Sequence, residues 1–185
     1  MFIETARLIL RTVTMDDVED VARSWRLDDG PLSLQEAETQ VRWMLDNHEQ
    51  NAPGRVVHLC LAIVHKDDQG LIGWCGLDHR DQTKAAPVLF YLLKAGYWGK
   101  GLATEAARAV LGYAFGELDL DSIHGGAAPE NTASKRVMEK IGMRYTGLDE
   151  EGGHAFTLTK EEHWKAGGHS GRSVGLEQAQ SSLPN

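Results

Sequence analysis

The chain has 185 residues, 42% apolar and 25% charged, with a formal net charge of −8; that length buries one well-formed core and is short for two domains. The acidic balance argues against a nucleic-acid partner, because phosphate-backbone binding rests on a basic face. No apolar run reaches the roughly 18–20 residues of a membrane span, and the start, MFIETARLILR, has early charges and no small-residue cleavage site, which makes the cytoplasm the default compartment.

Apolar spacing predicts a mixed α/β order. Residues 6–11 (ARLILR) read as a first strand. The run Thr14-Met15-Asp16-Asp17 offers a cap and an acidic first turn for a helix to about Leu27. Pro31 and Ser33 introduce a second helix over about 34–47, with Ala37, Val41, Met44 and Leu45 on one face. Residues 56–64 are short and almost continuously apolar, as a strand covered on both faces is. The turn residues 66–70 (KDDQG) join them to a partner strand over 71–77. A further strand covers 87–93, a helix 102–115, a strand 122–127, a helix 131–141, and a last strand includes 156–158. One domain is expected over 1–166. The Gly/Ser-rich stretch 167–185 reads as a disordered tail. Cys60 and Cys75 lie singly in apolar strands without metal spacing, and so read as buried thiols.

The stretch 95–107, AGYWGKGLATEAA, follows the apolar strand at 87–93 and opens a helix. Gly99 and Gly101 permit close backbone approach, and the first helical turn supplies unpaired N–H donors at a positive helix end, a site for an anion such as phosphate. The Walker pattern is absent, since Gly101 rather than Ser or Thr follows Lys100, and GxGxxG fails at Thr104. A plain strand–loop–helix connection is the other reading of these residues.

One strand later comes PENTASKRVMEKIGM, residues 129–143. Here Asn131 stands as an N-cap with Ser134 at the third helical position. Taken with ETARLILR (4–11) and YLLKAGYWGKGLATEA (91–106), in that order, it resembles the GNAT superfamily of acyl-CoA-dependent N-acetyltransferases, in the ribosomal-protein alanine and serine acetyltransferase branch. The resemblance covers about 3–158. It implies a twisted mixed sheet of about seven strands with helices on both faces. Its fourth and fifth strands, 87–93 and 122–127, splay around the pantetheine arm of acetyl-CoA.

The same resemblance implies that main-chain groups of Leu92 and Leu93 meet the pantetheine amides. The N–H groups of Trp98, Gly99, Lys100, Gly101, Leu102, Ala103 and Thr104 then cradle the pyrophosphate, and Asn131 contacts the arm. Ser134 lies near the thioester sulfur as the candidate to hydrogen-bond or protonate the departing thiolate. The chemistry implied is direct attack of a neutral amine on the acetyl carbonyl, with no metal. The acceptor is a protein N-terminus or a small-molecule amine, and the enzyme a monomer or homodimer.

The sequence departs from the family pattern at two points. Val88 stands where many members carry a glutamate base, and Met138 where many carry a tyrosine acid. Asp78 and His79, at the end of the 71–77 strand, are the candidate replacements for the base, with His124 a further one. Trp25, Trp43 and His79 are candidates to line the acceptor pocket. The two departures also keep open a second class, a catalytically weak CoA-binding sensor or regulatory module.

Overall fold

The computed structural model describes residues 1–24, 30–79, 85–149 and 151–168. The elements in chain order are β1 (Phe2–Glu4), β2 (Leu8–Thr12), α1 (Val18–Ser24), α2 (Leu34–His48), β3 (His58–His65) and β4 (Leu71–Asp78). There follow β5 (Val88–Leu93), α3 (Leu102–Gly116), β6 (Ser122–Ala127), α4 (Thr132–Lys140), β7 (Arg144–Leu148), β8 (His154–Thr159) and α5 (Lys160–Lys165). The strands form one eight-stranded sheet in the order β1-β2-β3-β4-β5-β6-β8-β7. Among the described residues no helix is long and apolar enough to cross a membrane.

The β3–β4 hairpin forms as its turn residues predict: the His65 amide donates to the Gly70 carbonyl at 3.0 Å, and six successive residues of β3 are buried. Ser33 caps α2, accepting the Glu36 N–H while Glu36 returns a bond to the Ser33 N–H, a reciprocal arrangement that satisfies two orphan donors. Three elements lie outside the sequence expectation. β1 is three residues long, β7 is exposed along most of its length, and α5 is a single capped turn and a half. β1 and β7 bring the sheet to eight strands among the described residues, where about seven were expected. The strand expected over 6–11 is β2, which starts two residues later and ends one residue later. The expected end of the first helix near Leu27, the indole of Trp25 and the tail beyond 168 lie outside the described residues.

Two cores flank the sheet. On one face α1 and α2 pack on Cys60, Ala62 and Trp74, with Phe90 and Leu92 at the margin. On the other, α3 and α4 pack on Cys75, Leu77, Leu89 and Leu93, with Tyr91 and Val137 at the margin. Alternate residues of β5 therefore serve opposite layers, as the period of two requires. Among the described residues β5 and β6 are the parallel pair, in register at Val88–His124 and Leu89–Gly125, with the His124 N–H donating to the Pro87 carbonyl at 2.9 Å. Beyond Leu89 the two strands part, which leaves a cleft through the sheet bounded by residues 90–93 on one side and 126–127 on the other.

Candidate active site

The mouth of that cleft is the loop from β5 to α3. Gly99 (φ +73°) and Gly101 (φ +76°) are both left-handed, and Gly101 is the N-cap of α3. A side chain at either position would meet the Cβ–carbonyl crowding that glycine lacks. Trp98 is 61% exposed, and its indole N–H donates to the Leu93 carbonyl at 2.7 Å. It thereby ties the loop back to the end of β5 and shares the Leu93 main chain assigned to the pantetheine. Lys100 extends from the loop over the Tyr97 ring, Nζ 5.1 Å from its centre.

The loop is braced from the N-terminus. The Arg7 guanidinium donates to the Lys100 carbonyl at 2.9 Å and to Glu105 Oε2 at 2.7 Å, while the Arg7 amide and the Thr5 hydroxyl donate to Glu105 Oε1 at 2.9 and 2.6 Å. Burial would push the Glu105 carboxyl up, but these hydrogen bonds outweigh it and hold the group below its ordinary range. The ETAR and ATEA blocks are thus one hydrogen-bonded cluster, and Arg7 is a site residue that the sequence reading did not single out. Arg7→Ala is expected to raise the KM for acetyl-CoA about fivefold while changing global stability by less than about 1 kcal/mol, because a half-exposed ion pair contributes little. Steady-state kinetics and thermal melting of the same sample check both halves.

Across the cleft, Asn131 caps α4 as its position predicts, its Oδ1 accepting the Ser134 N–H at 2.9 Å. The Ser134 hydroxyl meets Tyr91 of β5: the phenol oxygen is 2.7 Å from Ser134 Oγ and 3.2 Å from the Ser134 carbonyl, to which the phenol donates. Burial pushes the Tyr91 pKa up, the bond to Ser134 offsetting part of the effect, so the phenol keeps its proton at working pH. Nothing in the sequence singled out Tyr91, since a tyrosine alternating with leucines on a strand reads as packing. Met138 is buried, and a Cβ on Gly125 would lie 2.8 Å from its sulfur. The side chain that replaces the family's tyrosine is therefore core filling against β6.

Asp78 and His124 lie on the opposite face. Asp78 pairs with Val88, and Val88 with His124, along one rung of the sheet. Neighbouring partners on a rung project to the same side, here the side covered by α1 and α2. His79 follows β4, its amide donating to the Val57 carbonyl at 2.9 Å. Trp43 of α2 packs its indole on the His58 ring. The geometry thus brings Asn131, Ser134 and Tyr91 together on one face and sets Asp78 on the other. Cys60 and Cys75 are buried and free, and burial pushes both thiols far up, out of nucleophile range. Among the described residues no group of His, Cys, Asp and Glu is placed to hold a metal.

Residues 7–144 match the family model described as an acetyltransferase (GNAT) domain. The uncharacterized N-acetyltransferase p20 of Bacillus licheniformis is 26% identical over 152 residues, 78% of this chain and 83% of that one. A GNAT-family acetyltransferase from Bacillus anthracis superposes with a TM-score of 0.68 at 25% identity, over 87% of this chain and 99% of that one. RimL, a ribosomal L7/L12 α-N-protein acetyltransferase solved with coenzyme A, superposes with a TM-score of 0.72 at 13% identity, over 86% and 98%. With a family model matching three quarters of its length over a sheet that parts beside a glycine-led helix, the chain belongs to the GNAT acetyltransferase family and is an acyl-CoA N-acyltransferase.

Proposed function

We propose that this enzyme moves the acetyl group of acetyl-CoA to a primary amine by direct attack within a ternary complex. The observation that carries the reading is the parting of β5 from β6 beyond Leu89, with the left-handed glycine loop at its mouth and the Ser134 hydroxyl on its wall. The N–H groups of 99–104 face the pyrophosphate at a positive helix end; that of Trp98, expected among them, instead closes the preceding turn on the Ala95 carbonyl at 3.1 Å. Main-chain groups of Leu93 pair with the pantetheine as an added strand, while those of Leu92, expected to share that role, are turned to Trp74 of β4; Asn131 supports the arm. A backbone N–H near Leu92 polarises the carbonyl. Held thioester and held amine gain most of their rate from proximity.

On the acceptor side, Asp78 takes the proton that the ammonium must lose before attack. It stands directly across from Val88, on the face where the missing glutamate would have projected. On the donor side, the Ser134 hydroxyl hydrogen-bonds the departing thiolate and Tyr91 supports the serine. The net charge of −8 favours a cationic acceptor, whether a peptide N-terminus or a small-molecule amine.

The test is release of free CoA thiol from acetyl-CoA across a panel of peptides with small N-terminal residues, polyamines and amino acids. Turnover with at least one amine is expected. Acetyl-CoA should also raise the melting temperature, since a ligand at 100 times its Kd adds about 2.7 kcal/mol by mass action. Binding without turnover on any amine would instead support the sensor reading, which Val88 and Met138 favour.

A further inference from the structure

On the rung that carries Asp78, the next residue outward is His58 of β3. Its Nδ1 lies 3.5 Å from Asp78 Oδ1, and its ring is buried while the Asp78 carboxyl keeps 27% of its side-chain surface. The imidazole is held on both sides. The Trp43 indole tilts against it at 4.7 Å between centres, and the Phe90 ring stacks within 7° of parallel at 5.6 Å. Its backbone is pinned as well. Asn51 Nδ2 donates to the His58 carbonyl at 3.0 Å, and Asn51 Oδ1 accepts the Val57 N–H at 2.8 Å. A ring packed against two aromatic side chains on a clamped strand keeps one orientation, and in that orientation Nδ1 lies beside the carboxyl at a separation longer than a formed hydrogen bond.

An aspartate at a strand end ordinarily turns about both side-chain bonds, and a base that turns loses the positional advantage that catalysis needs. We propose that His58 is the positioning residue for Asp78: it fixes the carboxyl toward the acceptor and shares the charge of the proton that the carboxyl receives. The inference rests on the reading of Asp78 as the base. In the step, one N–H bond of the acceptor ammonium breaks and its proton passes to the Asp78–His58 pair. The pair gains one positive charge as the ammonium loses one and becomes a neutral amine. A histidine on β3 thereby compensates for the carboxylate absent at Val88.

The experiment compares kcat, the KM for acetyl-CoA and the melting temperature of Asp78→Asn, His58→Phe, His58→Asn, His58→Gln and the double variant His58→Phe/Asp78→Asn. Asp78→Asn is expected to lower kcat about 100-fold and His58→Phe about 20-fold, the scale of general-base loss and of partial mispositioning. The asparagine amide nitrogen takes the place of Nδ1, so His58→Asn should stay within about threefold of the parent. The glutamine amide mimics Nε2 instead, so His58→Gln should be slow. The double variant should be no slower than Asp78→Asn, because the two residues act as one unit. The KM for acetyl-CoA should not move in any of them.

Full kcat in His58→Phe, or losses that multiply in the double variant, overturns the role of His58 and leaves Asp78 standing. Parent-like kcat in Asp78→Asn overturns the base assignment itself. Where His58→Phe fails to fold, equal rates for His58→Asn and His58→Gln overturn the proposal.

Discussion

Ser134→Ala lowers kcat by about 10²- to 10³-fold and leaves the KM for acetyl-CoA within about twofold, the pattern of an interaction realised only in the transition state. The serine side chain makes no cap bond: Asn131 caps α4 with its own oxygen to the Ser134 main-chain N–H, which alanine keeps. The helix start is therefore preserved and the loss belongs to the hydroxyl. Tyr91→Phe removes the phenol 2.7 Å from that hydroxyl and should cost about tenfold. The double variant should match Ser134→Ala, since the phenol acts through the serine. Steady-state kinetics on the three variants decide the matter. A double variant much slower than Ser134→Ala would give Tyr91 its own contact with the reacting atoms, and an unchanged kcat in Ser134→Ala would remove the serine from the chemistry.

The second large effect falls on the loop. Gly101→Val forces a β-branched side chain into φ +76°, where L residues cost about 1–2 kcal/mol and branched ones more. Beyond the crowding against its own adjacent carbonyls, the added Cβ would meet only the flexible end of Arg7, at 3.7 Å. The loop must therefore relieve the strain by turning its peptide planes, and those planes carry the N–H groups that the proposed function assigns to the pyrophosphate. We expect the KM for acetyl-CoA to rise about 100-fold, roughly 1.4 kcal/mol for each factor of ten. Gly101→Asn should be several-fold milder, because asparagine visits the left-handed region. Equal effects from valine and asparagine would trace the loss to bulk in the loop and count against backbone geometry as its cause.

Much of this architecture is legible in the sequence because it rests on local signals. The boundaries of β6 match residue for residue, and α2 and α3 match within one residue at each end. Each is set by a cap, a turn or an unbroken apolar face. β7 escaped because an exposed edge strand has no buried face to impose alternation, and β1 because three residues cannot show a period. α5 had a readable signal in Thr159 and Glu162, which form a capping box.

The site divides along the same line. The anion loop and the Asn131 cap are local and could be read. The partnerships of Arg7 with Lys100, Tyr91 with Ser134 and His58 with Asp78 join residues 93, 43 and 20 positions apart. Only the order of strands in the sheet brings such pairs together.

The two cores on either side of the sheet carry one further consequence. The groups assigned to the thioester belong to the layer of α3 and α4, and those assigned to the amine belong to the layer of α1 and α2. Substitutions in one layer share few neighbours with those in the other, so their effects should combine independently. Natural variation can then redraw the acceptor pocket while the donor machinery stays still. On the proposed assignment, a change of amine would be reached through the first 50 residues and the start of β3, with the acetyl source left unchanged.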